Sequence, residues 1–172
     1  PYITLNHIVK AISIWVKNSP ATKETTILDG EIYSDEISFQ SITSAVKAIG
    51  PDNVQLKYRV YDMVSDAEQL ARLDNAQKIV QQIGSEDVIF TRTIPVDSAE
   101  DVKKLHDDFV QNYGFEGAMI RFPLGKYAQG QRSRELLKVK EFDEKEFTLT
   151  GFIKGQRDED LIAVLENDMN DM

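Results

Sequence analysis

Apolar residues along this chain switch repeatedly between a period near 3.6 and a period of two, and never settle into regular strand–helix–strand repeats. Ile8, Ala11, Ile12, Trp15 and Val16 predict an amphipathic helix over roughly 6–18, with Asn6 as its N-cap. Thr26 to Tyr33, holding LDGEIY, reads as a strand. Phe39, Ile42, Ala45, Val46 and Ile49 have helical spacing again, stopped by Gly50-Pro51. LKYRVYDMV, 56–64, alternates as a strand, with Leu56, Tyr58 and Val60 on one face and Lys57, Arg59 and Tyr61 on the other. Leu70, Leu73, Ala76, Val80 and Ile83 give the next helix, and 88–94 a strand. Asp97 or Ser98 caps a helix running to about Tyr113, which Gly114 ends. GAMIRF is a strand, 122–133 a loop, and 136–140, 147–153 and 161–165 further strands. No glycine-rich phosphate loop comes after the first strand, which argues against a Rossmann or P-loop fold. The pattern predicts an α+β domain with antiparallel sheets, with a break near Asp143.

Composition narrows the chemistry. The 172 residues, 41% hydrophobic and 28% charged, suffice for a buried core without covalent staples. The absence of cysteine excludes disulfides, thiolate metal sites and a cysteine nucleophile. Two histidines, His7 and His106, leave little for histidine-based chemistry. No apolar run approaches the ~18–20 residues of a membrane span, and the first residues lack a secretory layout, so the expectation is a soluble, cytoplasmic protein. The net charge of -9 hides an uneven distribution. Six bases and one acid, Glu135, lie between Arg121 and Lys140, whereas 158–172 holds six acids and no base. That arrangement suits either a phosphate-handling site in an acidic protein or a merely solvated surface.

Four short islands can carry chemistry. Asp29-Gly30-Glu31 sets carboxylates beside a glycine, able to hold a ribose hydroxyl or a metal, or simply to turn the chain. Tyr61, on a polar face, can stack on a base or pack ordinarily. Glu116, entering a strand, offers oxygen ligands for a divalent cation, or merely begins a strand after a helix-stopping glycine. Lys138 and Lys140 share a strand face, which is costly unless an anion lies between them, although edge strands are also blunted by lysines.

In order and spacing, these islands resemble the nucleotidyltransferase superfamily of ATP-dependent DNA ligases, RNA ligases and capping enzymes. LDGE is similar to the family's third motif, YRVYDMV to the aromatic motif after it, EGAMIR to the fourth and LLKVKEF to the fifth. EGAMIRF and FQSI resemble a DNA ligase more than the other two classes. The resemblance implies a ligase-type nucleotidyltransferase (ATP-grasp-like) domain over 1–142, with antiparallel sheets and flanking helices, and the start of an OB-fold over 143–172. It implies that Glu31 contacts the AMP ribose and helps bind a metal, Tyr61 stacks on adenine, Glu116 serves the metal, and Lys138 and Lys140 reach the ATP phosphates. Arg121 and Arg132 are further candidates for the nucleotide or the DNA backbone. The implied cofactors are ATP and Mg2+, the implied partner is nicked double-stranded DNA, and the implied form is a monomer of phage or bacterial type.

The family's first motif, Lys-x-Asp-Gly, carries the lysine that becomes adenylated. The only Asp-Gly pair here is Asp29-Gly30, within the segment similar to the third motif, and the residue two before Asp29 is Ile27, not a lysine. The nucleophile is therefore expected before Pro1, and residues 1–172 alone are expected not to self-adenylate. An RNA ligase, a capping guanylyltransferase, or a nucleotide- or DNA-binding module without catalysis fits the same motifs.

Overall fold

The computed structural model describes residues 3–19, 26–140, 148–154 and 161–166. Their elements run α1 (Asn6–Asn18), β1 (Leu28–Tyr33), α2 (Phe39–Lys47), β2 (Lys57–Met63), α3 (Gln69–Ile83), β3 (Val88–Phe90), α4 (Ala99–Gln111), β4 (Gly117–Arg121), β5 (Leu136–Lys140), β6 (Thr148–Lys154) and β7 (Leu161–Glu166). The chain divides into two units, Pro1–Val139 and Lys140–Met172.

In the first unit β1, β2 and β3 form one sheet in that order, and β4 pairs with β5. β1 and β2 are antiparallel, as expected. β2 and β3 are parallel, which alternation alone does not reveal. α3 makes the crossover that a parallel pair requires. Val60, Ala76, Val80 and Val88 form a core between this sheet and α3, and Ile8 of α1 joins it. Ile42, Ala45 and Leu56 form a second core under α2. Burying each Val, Leu or Ile side chain stabilises the fold by roughly 1.5–3 kcal/mol.

Side chains tie the helices to this frame. His7 Nε2 donates to the Leu56 carbonyl at 2.8 Å, and Trp15 Nε1 donates to Gln82 Oε1 at 3.2 Å. Asn6 is the first residue of α1 rather than its cap; Leu5 holds the cap position without a side-chain bond, because the preceding turn, Ile3–Leu5, is already 3-10 helical. α2 stops at Lys47, before Ile49, where Asn53 Nδ2 takes up the Ala45 and Ala48 carbonyls at 2.5 and 3.1 Å. Ser38 caps α2 and Ser98 caps α4. Gly84, at φ 60°, ends α3 in the left-handed conformation that glycine adopts without strain.

In the second unit, β6 and β7 form an antiparallel hairpin, paired from Thr148 with Glu166 to Lys154 with Leu161. The break expected near Asp143 and most of the acidic stretch 158–172 lie outside the described residues. No helix of the described residues is long and apolar enough to cross a membrane.

Candidate functional site

The local irregularity that matters most falls within YRVYD. Asp29 pairs with Asp62, and the next residue, Gly30, pairs with Val60, so Tyr61 is an extra residue on β2 with no opposite number on β1. A bulge of this kind bends the strand and re-aims one side chain. Gly30 is required there: a Cβ would stand 2.4 Å from the Arg59 carbonyl oxygen and 2.7 Å from the Tyr58 ring. Two residues into β1 from Asp29, Glu31 pairs with Arg59 and is exposed.

The bulge leaves two carboxylates, Asp29 and Asp62, opposite each other, an arrangement that repels unless each is compensated. Asp62 is buried and is compensated by two arginines. Its Oδ1 accepts from Met63 N at 2.8 Å and Arg72 Nε at 2.9 Å. Its Oδ2 accepts from Arg72 Nη2 at 3.3 Å and Arg121 Nη1 at 3.0 Å. Asp29 Oδ2 accepts from the Tyr127 hydroxyl at 2.8 Å. Each arginine also lies against a tyrosine, Arg121 5.2 Å from the Tyr61 ring centroid and Arg72 5.6 Å from that of Tyr127. Such cation–ring contacts contribute about 0.5–2 kcal/mol.

The tyrosines feel this field. Burial, then the charges of Asp29 and Glu31, raises the Tyr61 hydroxyl above its usual value, and Arg121 opposes the rise. Burial and the bond to Asp29 push Tyr127 up to about 12. Both therefore stay protonated as neutral rings at physiological pH.

The other candidate residues lie on β4, β5 and the stretches before them. Glu116 is exposed just before β4, and Lys138 of β5 reaches it, with Nζ 3.1 Å from Oε2. The anion beside Lys138 is thus a carboxylate of the chain itself. Lys140 ends β5 and is the first residue of the second unit. Arg132 is exposed in the stretch before β5. Among the described residues there is no group of three or more His, Cys, Asp or Glu arranged to hold a metal ion. Glu31 and Glu116 nevertheless present hard oxygen ligands, and Mg2+ commonly binds through one or two carboxylates plus substrate phosphates. A concavity of about 560 Å³ between α3 and β3 shares no lining residue with this constellation.

Sequence reasoning brought out Asp29, Glu31, Tyr61, Glu116, Arg121, Arg132, Lys138 and Lys140, but missed Arg72, Tyr127 and the function of Asp62. Arg72 did leave a trace. Gln69, Arg72, Leu73, Ala76 and Val80 are the buried positions of α3, so a charged residue occupies the helix's core stripe. Nothing in the sequence around Tyr127 marks it.

A family model described as the ATP dependent DNA ligase domain matches residues 4–140. A DNA ligase of Archaeoglobus fulgidus is 37% identical over 133 residues, covering 70% of this chain and 24% of that protein. Among solved structures, a Lig E DNA ligase superposes with a TM-score of 0.65 at 18% identity, covering 82% of this chain and 57% of that one. The adenylate form of Chlorella virus DNA ligase superposes with a TM-score of 0.55 at 30% identity, covering 74% and 50%. The chain thus spans about a quarter of the curated relative and about half of each of these structures.

Proposed function

The chain belongs to the ATP-dependent DNA ligase family, and on that premise we propose that it is the nucleotide- and phosphate-holding part of an enzyme that seals nicks in double-stranded DNA. The observation that carries this reading is Tyr61, a half-buried ring set out by a bulge beside the Glu31 strand, with Arg121 against it. Adenine stacks on that ring, a contact worth about 1–3 kcal/mol. Glu31 takes the ribose hydroxyls. Lys138 and Lys140 meet the phosphates, with Arg132 beyond them toward the nucleotide or the DNA backbone.

In this reading Lys138 exchanges one anion for another. Lys138 pairs with Glu116 in the structure; the triphosphate, carrying more charge, would draw it away and leave the carboxylate for a cation. Glu31 and Glu116 would hold Mg2+, which supplies charge neutralisation on the phosphates. Phosphoryl transfer depends mainly on such positioning and positive charge. A lysine Nζ attacks the α-phosphorus of ATP and pyrophosphate leaves. The AMP then passes to the 5′-phosphate at a nick, and the 3′-hydroxyl attacks that phosphorus with loss of AMP. The only Asp-Gly pair, Asp29-Gly30, has Ile27 and not a lysine two residues before it, so these residues hold no Lys-x-Asp-Gly and the nucleophile would come from outside them.

Intact mass of the full-length protein, before and after ATP, tests this reading. The expected result is a gain of one AMP with Mg2+, none with a chelator present, and sealing of nicked DNA in preference to nicked RNA. No gain with Mg2+ would overturn the reading, and preference for RNA or GTP would move the enzyme to another class of the superfamily.

A further inference from the structure

Arg72 has no part in the roles proposed above, yet it is the most thoroughly bonded side chain near Tyr61. It is 1% exposed. Nε and one Nη2 hydrogen go to Asp62, at 2.9 and 3.3 Å. The other Nη2 hydrogen goes to Gln69 Oε1 at 2.7 Å. Nη1 donates to the Ala67 carbonyl at 2.7 Å and the Gly125 carbonyl at 2.8 Å. All five guanidinium hydrogens are therefore used, in a fork geometry that lysine cannot copy. These bonds join α3, the end of β2 and the loop after β4.

That loop is drawn in further. Gly125 N donates to the Phe122 carbonyl at 2.9 Å, and Lys126 Nζ donates to the Asp66 carbonyl at 3.0 Å. A Cβ on Gly125 would sit 3.0 Å from the Phe122 carbonyl oxygen and 3.1 Å from Glu135 Cβ, so the backbone is held close. Tyr127 comes next, with its ring against Arg72 and its hydroxyl on Asp29. The contacts run from Tyr61 to Arg121, Asp62, Arg72, Tyr127 and Asp29, and Asp29 lies near enough to Tyr61 for its charge to raise that hydroxyl. Five separate segments thus meet around one aromatic ring.

We propose that Arg72 and Tyr127 are positioning residues for the nucleotide stack: Arg72 fixes Arg121 against Tyr61 through Asp62, and Tyr127 fixes Asp29 beside Gly30-Glu31. The proposal rests on the ligase reading given above. If these two residues only held the fold together, their loss would lower stability and affect every step alike. As positioning residues they act through the Tyr61 ring, and their effect depends on that ring being present.

The test is a double-mutant cycle on self-adenylation of the full-length protein, reading KM for ATP, the rate at saturation and the melting temperature. Tyr127→Phe keeps the ring and removes one hydrogen bond; it is expected to raise KM about threefold to tenfold, while lowering the melting temperature by a few degrees, with and without the Tyr61 ring alike. In a Tyr61→Ala background the same substitution is expected to change KM little, because contacting groups couple. Arg72→Lys, offering three donors for five acceptor contacts, is expected to show a larger rise in KM with the same dependence on Tyr61. Wild-type labelling with an unchanged KM for Tyr127→Phe would overturn the proposal and leave the ligase reading standing. An equal effect with and without the Tyr61 ring would overturn it too, by marking the residues as structural. No labelling of the wild type would overturn both.

Discussion

At the scale of single residues, Tyr61 and Lys138 make separable contributions. Stacking needs a ring and not a hydroxyl, so Tyr61→Phe should leave ATP affinity nearly unchanged. Tyr61→Ala should weaken it about 5- to 150-fold, the equivalent of ~1–3 kcal/mol. Calorimetric titration with ATP checks this, and full affinity in Tyr61→Ala would reduce the residue to packing. Lys138 is half exposed, and its pair with Glu116 contributes little to stability, as surface pairs generally do. Lys138→Ala should therefore keep the melting temperature within about a degree or two while slowing AMP transfer at least tenfold, because a charge-assisted phosphate contact is worth about 1.5–3 kcal/mol. Unimpaired transfer would mean that Lys138 serves only Glu116.

At the scale of elements, the β1–β2 pair depends on Gly30. In Gly30→Ala the added methyl meets a backbone carbonyl, which cannot move without breaking the ladder. The expected cost is about 1–3 kcal/mol, read as a melting temperature lower by several degrees. ATP binding should weaken as well, since the bulge that presents Tyr61 must shift. Gly50→Ala is the control: it has nothing within 4 Å and an extended backbone at φ -164°, so it should melt near wild type. Equal melting of both variants would sink this account of the bulge. The helices were legible in the sequence because their signals are local: Ile8, Ala11, Ile12 and Trp15 predict α1 to within its observed limits, and Ser98 stops α4 from starting earlier. β3 was not legible at its true length. It forms only where β2 offers parallel partners, at Tyr58, Arg59 and Val60, and Thr91 to Ile94 are exposed beyond them. For the site, charged and aromatic residue types inside strands pointed to Glu31, Tyr61 and Lys138. Arg72 and Tyr127 reach the Asp29–Asp62 pair only through tertiary folding, across sequence separations that no periodicity records.

At the scale of the whole molecule, net charge is a weaker guide than where protons are held. Two tyrosines tie β1 to other parts of the first unit: Tyr58 donates to the Leu28 carbonyl at 2.8 Å, and Tyr127 donates to Asp29 at 2.8 Å. Burial, reinforced by the charge of Asp29, pushes the Tyr58 hydroxyl up to about 12, and Tyr127 is likewise pushed up to about 12. An unfolded tyrosine titrates near 10.0. Below that value both states are protonated and the two bonds contribute fully. Above it the unfolded chain loses protons that the folded chain keeps, so stability falls as pH rises from about 10 and is lost progressively through about 12. Melting temperature should thus decline steeply across that window, and tyrosinate absorbance should show Tyr58 and Tyr127 titrating late, with Tyr61 also above the usual value, all becoming normal on unfolding. Tyr58→Phe separates the two effects of the hydroxyl. It should lower stability by about 1 kcal/mol at neutral pH through loss of the Leu28 bond, yet make the alkaline decline shallower, because one of the retained protons is gone. A variant that declines as steeply as wild type would place the alkaline sensitivity elsewhere in the fold.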